Sequence, residues 1–281
     1  MAIFLALGAA VVYGSADFMG GLVSRRAAAL SVALGAQLSG LLVLGIALPF
    51  LGPMQATGAD LGWGGLAGIF GGLGLVLLFR VLARGPMSVV APTTALSAAI
   101  VPIAAGVVQG ERPGPLAVVG ILVSLIAVML ITRESPEQRA AGGQVSLRVL
   151  GTALAAGAIF GLFFVALHQT SDAAGLWPLL AAKVVSVPML GLLVVRRGLA
   201  LDWSIPDVGR TIVLSGALDM AANILYLLAL RHGMLAVVAA IAGLYPASTV
   251  LLARSQLDER LHHVQVIGLG VAACAAVLIA V

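Results

Sequence analysis

GPMSVVAPTTALSAAIVPIAAGVVQGERPGPLAVVG, residues 85–120, and GMLAVVAAIAGLYPASTVLLARSQLDERLHHVQVIG, residues 233–268, read as two copies of one segment. Gly85 matches Gly233, Val89-Val90-Ala91 matches Val237-Val238-Ala239, and Gly110-Glu111-Arg112 matches Asp258-Glu259-Arg260. Val119-Gly120 matches Ile267-Gly268 at the same offset of about 148 residues, so the chain is a tandem duplication of a large block.

What that block is made of follows from composition. Hydrophobic residues make up 61% of the 281 and charged residues 9%, against about 25% charged in an average soluble domain. A soluble core of this size could not absorb so much apolar surface, so lipid is the solvent for most side chains. The net charge of +4 would suggest nucleic acid in a soluble protein. Here the arginines fall between apolar runs, where they act as topology signals, and no nucleic-acid partner is expected. Cys274 is the single cysteine, which excludes an intrachain disulfide. The stretch from Met1 to Val23 has no basic residue and no cleavage site and reads as a retained span.

A transmembrane helix needs about 20 mostly apolar residues. Runs of that kind lie near 2–23, 30–51, 62–83, 87–108, 115–132, 149–170, 176–195, 210–230, 234–253 and 262–280. The expected fold is an all-α membrane protein of ten transmembrane helices, a first five-helix repeat at 1–132, a polar linker at 133–148 and a second repeat at 149–281. Five is odd, so the second copy enters the membrane in the opposite sense and the repeats are inverted. The positive-inside bias reverses accordingly. The loop after span 1 carries Arg25 and Arg26, and its counterpart after span 6 only Asp172. The loop after span 2 has no Lys or Arg, and its counterpart after span 7 has Arg196, Arg197 and Arg210. Trp63, Trp177 and Trp203 stand at or beside span ends, as interfacial anchors do.

Charge inside a membrane is costly, by about 2.5–3.5 kcal/mol on the gentlest scale, so each buried ionisable group is a candidate for function. Asp219, Asn223 and Tyr226 are spaced i, i+4, i+7 and share one face of span 8, where they line a substrate cavity or form a structural cluster between helices. Tyr13 and Asp17 share a face of span 1, with pairing of Asp17 to Arg25 or Arg26 as the structural alternative. Lys183, near the middle of span 7, must be paired with an acid such as Asp219 or Asp17, deprotonated or hydrated. Arg80 is within reach of the interface, and Gln37 and His168 are weaker candidates. Span 4 contains Pro92 and Pro102, and span 9 contains Gly243 and Pro246, so helix kinks are expected in corresponding places. Thr93, Thr94 and Ser97 on span 4, with Tyr245, Ser248 and Thr249 on span 9, would supply neutral hydrogen-bonding groups there.

The segments Phe79-Arg80-Val81-Leu82-Ala83-Arg84-Gly85 and Ser88-Val89-Val90-Ala91-Pro92, the Gly110-Glu111-Arg112 turn, Leu244-Tyr245-Pro246-Ala247 and Asp258-Glu259-Arg260-Leu261 resemble EamA-type members of the drug/metabolite transporter superfamily. The resemblance covers the whole chain. It implies a carrier, often an exporter, of small solutes in the plasma membrane, with a cavity lined by spans 1, 3, 4, 6, 8 and 9. It places Asp17, Asp219, Asn223, Tyr226 and Tyr245 on lining helices and Lys183 at the periphery. It also implies cytoplasmic termini, whereas the arginine bias puts both termini outside. The expected partners are a small-molecule substrate, the lipid bilayer and protons as coupling ion, with the protein a monomer or a homodimer.

An enzyme is not expected. The chain has no His-Glu-x-x-His, no Gly-x-Ser-x-Gly and no cysteine near a histidine, and His262-His263 has no acid or cysteine beside it to make a metal site. No cofactor is implied and no Walker loop is present. The competing class is a non-transporting membrane assembly or sensory subunit, which would have a dry, uniformly apolar interior.

Overall fold

The structure, a computed structural model, describes residues 1–47, 55–85, 87–131, 146–201, 203, 206–257 and 263–280. Residues 133–145 of the linker, the Asp258-Glu259-Arg260 turn and His262 lie outside the described residues. The described residues form eleven α-helices: α1 (Ala2–Val23), α2 (Ala29–Ala47), α3 (Gly58–Leu82), α4 (Met87–Val108), α5 (Pro115–Ile131), α6 (Leu147–His168), α7 (Trp177–Arg196), α8 (Pro206–Leu230), α9 (Leu235–Ala242), α10 (Pro246–Leu257) and α11 (His263–Ala280). Eight segments are long and apolar enough to cross a bilayer, α9 and α10 counting as one, Leu235–Leu252. Helices α5 and α11 are apolar but shorter. At 1.5 Å per residue α5 extends about 26 Å, slightly less than a hydrocarbon core of about 30 Å.

Local sequence explains where helices begin. Thr57 caps α3, its Oγ1 accepting from Asp60 N at 3.2 Å while Asp60 Oδ2 accepts from Thr57 N at 2.8 Å, a reciprocal capping box. Ser146 caps α6 by accepting from Val149 N at 3.3 Å. The α9/α10 break follows from Pro246, which has no N–H to give the Ala242 carbonyl. That carbonyl accepts from Tyr245 N at 3.1 Å instead, and Ser248 Oγ donates to Tyr245 O at 2.8 Å, so the broken turn keeps its hydrogen bonds. Helix α4, by contrast, runs through both Pro92 and Pro102 without interruption. Thr93 Oγ1 donates to Val89 O at 2.7 Å beside the carbonyl that Pro92 leaves free, which helps the helix to continue. Of the two matching spans, therefore, only the ninth is broken.

The surface is greasier than parts of the interior. Leu42, Ile46, Leu122, Leu192 and Val277 are exposed, while Asp17, Gln37, Lys183 and Asn223 are buried, the arrangement expected when lipid surrounds the molecule.

Helix packing repeats itself with the two halves exchanged. Helix α1 packs on α8 and α6 on α3; α2 packs on α8 and α7 on α3; α5 packs on α11. Glycines fix these approaches, because a Cβ would strike the neighbour's backbone. A Cβ at Gly68 on α3 would meet the Ala182 backbone of α7, and a Cβ at Gly216 on α8 would meet the Ala36 backbone of α2. Gly120 on α5 lies against Ile279 of α11, and Gly268 on α11 against Ile131 of α5. Gly68 with Gly216, Gly120 with Gly268 and Ile131 with Ile279 keep the offset of the repeated segment. Spans 4 and 9 depart from it by one helical turn. Gly14 of α1 faces Tyr245 O and Ser248 Oγ, whereas Gly157 of α6 faces Thr94 O and Ser97 Oγ. Those contacts pair Ser97 with Ser248 and Gly14 with Gly157, three and five positions away from the offset of the flanking residues.

Candidate functional site

The close approaches at Gly68 and Gly216 bring four helices together, and the residues after Ala36 and Ala182 meet between them. Lys183 Nζ donates to Gln37 Oε1 and stands 3.6 Å from Asp219 Oδ2. Gly40 leaves room for the Lys183 ammonium, since a Cβ there would lie 3.0 Å from Nζ. Asn223 Nδ2 donates to Asp219 O at 2.7 Å and to Asp219 Oδ2 at 3.1 Å. Tyr13 OH donates to Asn223 Oδ1 at 3.0 Å. One polar chain thus crosses the interior from Gln37 through Lys183, Asp219 and Asn223 to Tyr13, linking α2, α7, α8 and α1. Lys183 is 5% and Asn223 5% exposed, so both depend on these partners for the solvation that lipid cannot supply.

Aromatic rings form the facing wall. Phe160, Phe163 and Phe164 of α6 share one helix face, and Gly71 and Gly74 of α3 leave space for Phe163 and Phe160, with Cβ contacts of 3.1 and 3.3 Å. Phe164 stacks on Tyr226 with centroids 4.1 Å apart and lies edge-on to Tyr13 at 6.0 Å. Two adjoining cavities lie between the walls, of about 430 Å³ and about 480 Å³ with the space open to solvent included. Tyr13, Phe160, Phe164 and Asp219 border both. The first adds Gln37, Lys183, Ser186 and Asn223; the second adds Asp17, Tyr245, Gly243 and a set of alanines.

The candidates from sequence therefore fall into two groups. Tyr13, Asp17, Lys183, Asp219, Asn223 and Tyr245 border the cavities. Tyr226, Thr93 and Ser97 do not. Tyr226 stands behind Phe164, fully buried, and its hydroxyl has no hydrogen-bond partner among the described residues. Ser97 Oγ donates to Leu154 O at 3.0 Å and, like Thr93, serves the backbone. Of the expected kink positions, Pro246 starts α10, while Pro92 and Pro102 lie within α4. Lys183 is central, not peripheral. Asp17 has no ion pair with Arg25 or Arg26; it is 8% exposed, and no hydrogen bond or salt bridge reaches it among the described residues. The aromatic wall was missed as a site element although Phe160, Phe163 and Phe164, at i, i+3, i+4, carried its signal in the sequence.

A second polar cluster ties the halves together at the end of the molecule where α3, α7 and α9 begin. Glu111 accepts from Leu235 N at 2.6 Å and Ala236 N at 2.9 Å, so its carboxylate sits on the N-terminus of α9. His168 Nε2 lies 3.9 Å from the same carboxylate. Asp60 Oδ1 accepts from Ser171 N at 2.6 Å. Arg231 donates to the Thr170 carbonyl and, at 2.8 Å, to Thr170 Oγ1. Among the described residues no group of three or more His, Cys, Asp or Glu is placed to hold a metal ion.

The EamA-like transporter family matches residues 1–133 and 144–281, nearly the whole chain in two parts. The chain belongs to that family. This EamA-like protein also matches a solved crystal structure with a TM-score of 0.73 at 16% sequence identity, covering 99% of this chain and 95% of that one; the likeness is one of fold. Among curated proteins no relative matches. Membership makes the chain a multi-pass membrane protein of the drug/metabolite transporter superfamily, whose members are transporters and not enzymes.

Proposed function

We propose that this EamA-like protein is a secondary carrier that moves small metabolites or drugs, outward, across the plasma membrane by alternating access. The observation that carries the proposal is the polar chain from Gln37 to Tyr13, buried inside a lipid-facing molecule and bordering cavities that helices of both halves enclose. A purely structural bundle has no use for an acid–lysine pair beside unfilled space, because the desolvation of both charges outweighs much of their attraction. The carrier is taken to cross the membrane ten times, as inverted repeats at 1–132 and 149–281 joined by the 133–148 linker. Support for the inversion comes from the exchange of helix contacts between halves and from the odd number of spans in each. Rocking of one half against the other would open the cavities to alternate sides. The substrate is a small molecule, protons are the coupling ion, and the carrier works as a monomer or a homodimer.

The test is flux into reconstituted vesicles. Solute is expected to move faster under a pH gradient, and Asp219→Asn to remove that dependence. Coupling that survives in the variant would take Asp219 out of the mechanism. Vesicles no faster than protein-free ones towards amino acids, nucleosides, sugars and cationic drugs would overturn the carrier itself.

A further inference from the structure

The two cavities differ in how their charges are balanced. In the first, the Asp219 carboxylate is matched by Lys183 at 3.6 Å and by Asn223 at 3.1 Å, so the local sum is neutral. In the second, Asp17 is more than nine-tenths buried and has no counter-charge among the described residues. Its surroundings are Tyr13, Phe160, Phe164, Tyr245, Ala98, Ala99 and Gly243, with Asp219 at the border to the first cavity. The phenol hydroxyls there are already committed, Tyr13 OH to Asn223 and Tyr245 OH to Ala91 O at 3.3 Å. What the compartment offers a guest is therefore the carboxylate of Asp17, without a counter-charge among the described residues, that of Asp219, already paired with Lys183, and aromatic or methyl surface.

We propose that the Asp17 compartment binds a monocation with a flat aromatic or apolar body, its positive group against the Asp17 carboxylate and its body between the Phe160, Phe164, Tyr13 and Tyr245 rings. The inference rests on the carrier reading for its purpose but not for its chemistry. A cation satisfies the one unbalanced charge, and ring faces attract it further once water is excluded. An anion would meet two carboxylates, Asp17 and Asp219. A zwitterion would need a donor for its own carboxylate, yet Lys183 lies in the other compartment and is held by Asp219 and Gln37. A sugar would find carboxylate acceptors and two phenols whose hydrogens are already committed, where it needs several free donors as well. About 480 Å³ of empty space, the part open to solvent included, adjoins the carboxylate and the rings.

Three probes of one shape separate these classes: 1-methylquinolinium, neutral 1-methyl-2-quinolone and the anion 1-naphthoate. Calorimetric titration of the purified full-length protein in detergent is expected to show the cation binding at least about tenfold more tightly than either of the others. Asp17→Asn should lose that preference, and Asp17→Glu should keep it. Equal binding of the neutral probe, tighter binding of the anion, or an unchanged preference in Asp17→Asn would overturn the proposal. Should Asp17→Asn fail to fold, the comparison of probes on the unmodified protein still decides. Binding and flux fail separately. Asp17-dependent cation binding without vesicle uptake would sink the carrier reading and leave this one standing. Uptake of a neutral or anionic solute that Asp17→Asn leaves intact would do the reverse.

Discussion

The two walls of the interior occupy matching places in the two repeats and have opposite chemistry. Gly68 and Gly216 correspond, each pressed on an alanine backbone of the neighbouring helix. Three residues further along, α3 has Gly71 where α8 has Asp219; one turn beyond that, α3 has Leu75 where α8 has Asn223. Gln37 and Lys183, each next to the alanine that receives the glycine, hydrogen-bond to one another across the junction. The comparison separates two kinds of position. Small residues kept in both copies set how closely helices approach. Residues that differ between the copies turn one wall into acid, amide and phenol and leave the other to phenylalanine.

The largest expected effect breaks the polar wall at its charge pair. Lys183→Met leaves Asp219 without its cation in a site shielded from water, at a cost of about 3–5 kcal/mol. It should show as a large fall in the thermal midpoint of the protein in detergent. Adding Asp219→Leu removes the orphaned charge, and the double variant should regain most of the loss. A double variant as unstable as the single one would mean that Lys183 acts through packing, and the wall would not be electrostatic in origin.

How far the sequence carried this picture depends on the kind of information required. The repeat and most of the spans were legible because both are properties of one strand of text, a fixed offset and a run of apolar residues. The break at Gly243–Pro246 was legible for the same reason, since a missing N–H is local. Asp219 and Asn223 were legible as a pair because i, i+4 spacing places them together on any helix. Tyr226 shows where that logic stops. Two turns from Asp219 on the same face, it meets a different neighbour, and Phe164 stands between it and the cavities. Thr93 and Ser97 were ambiguous in the same way, because a hydroxyl on a helix has its own backbone within reach as well as the space beyond. Whether Lys183 would pair with Asp219 or Asp17 depended on helix-to-helix register, which no single helix contains.

The frame predicts a smaller effect that sharpens the comparison. Gly68→Ala and Gly216→Ala each put a methyl group against an alanine backbone, and overpacking of that kind costs about 1–3 kcal/mol. If the two contacts are equivalent, the two losses in thermal stability should agree closely. Gly45→Ala, on the lipid side with nothing near its Cβ, should not destabilise the protein. A large difference between the Gly68 and Gly216 variants would show that the halves share a fold but not a common packing frame.

The smallest effect compares two tyrosines whose rings lie 6.5 Å apart. Tyr13 donates to Asn223 and so holds the end of the polar chain in place, whereas the Tyr226 hydroxyl is buried with no partner among the described residues. Removing a partnered hydroxyl leaves Asn223 short of a donor and should cost about 1 kcal/mol in Tyr13→Phe. Removing an unpartnered one deletes a desolvation cost and keeps the stack on Phe164, so Tyr226→Phe should be neutral or slightly stabilising. Thermal midpoints of the two variants, measured side by side, give the sign of each change. If Tyr226→Phe destabilised as much as Tyr13→Phe, its hydroxyl must have a partner in the membrane-embedded protein, and water reaching it from the cavities would be the first candidate.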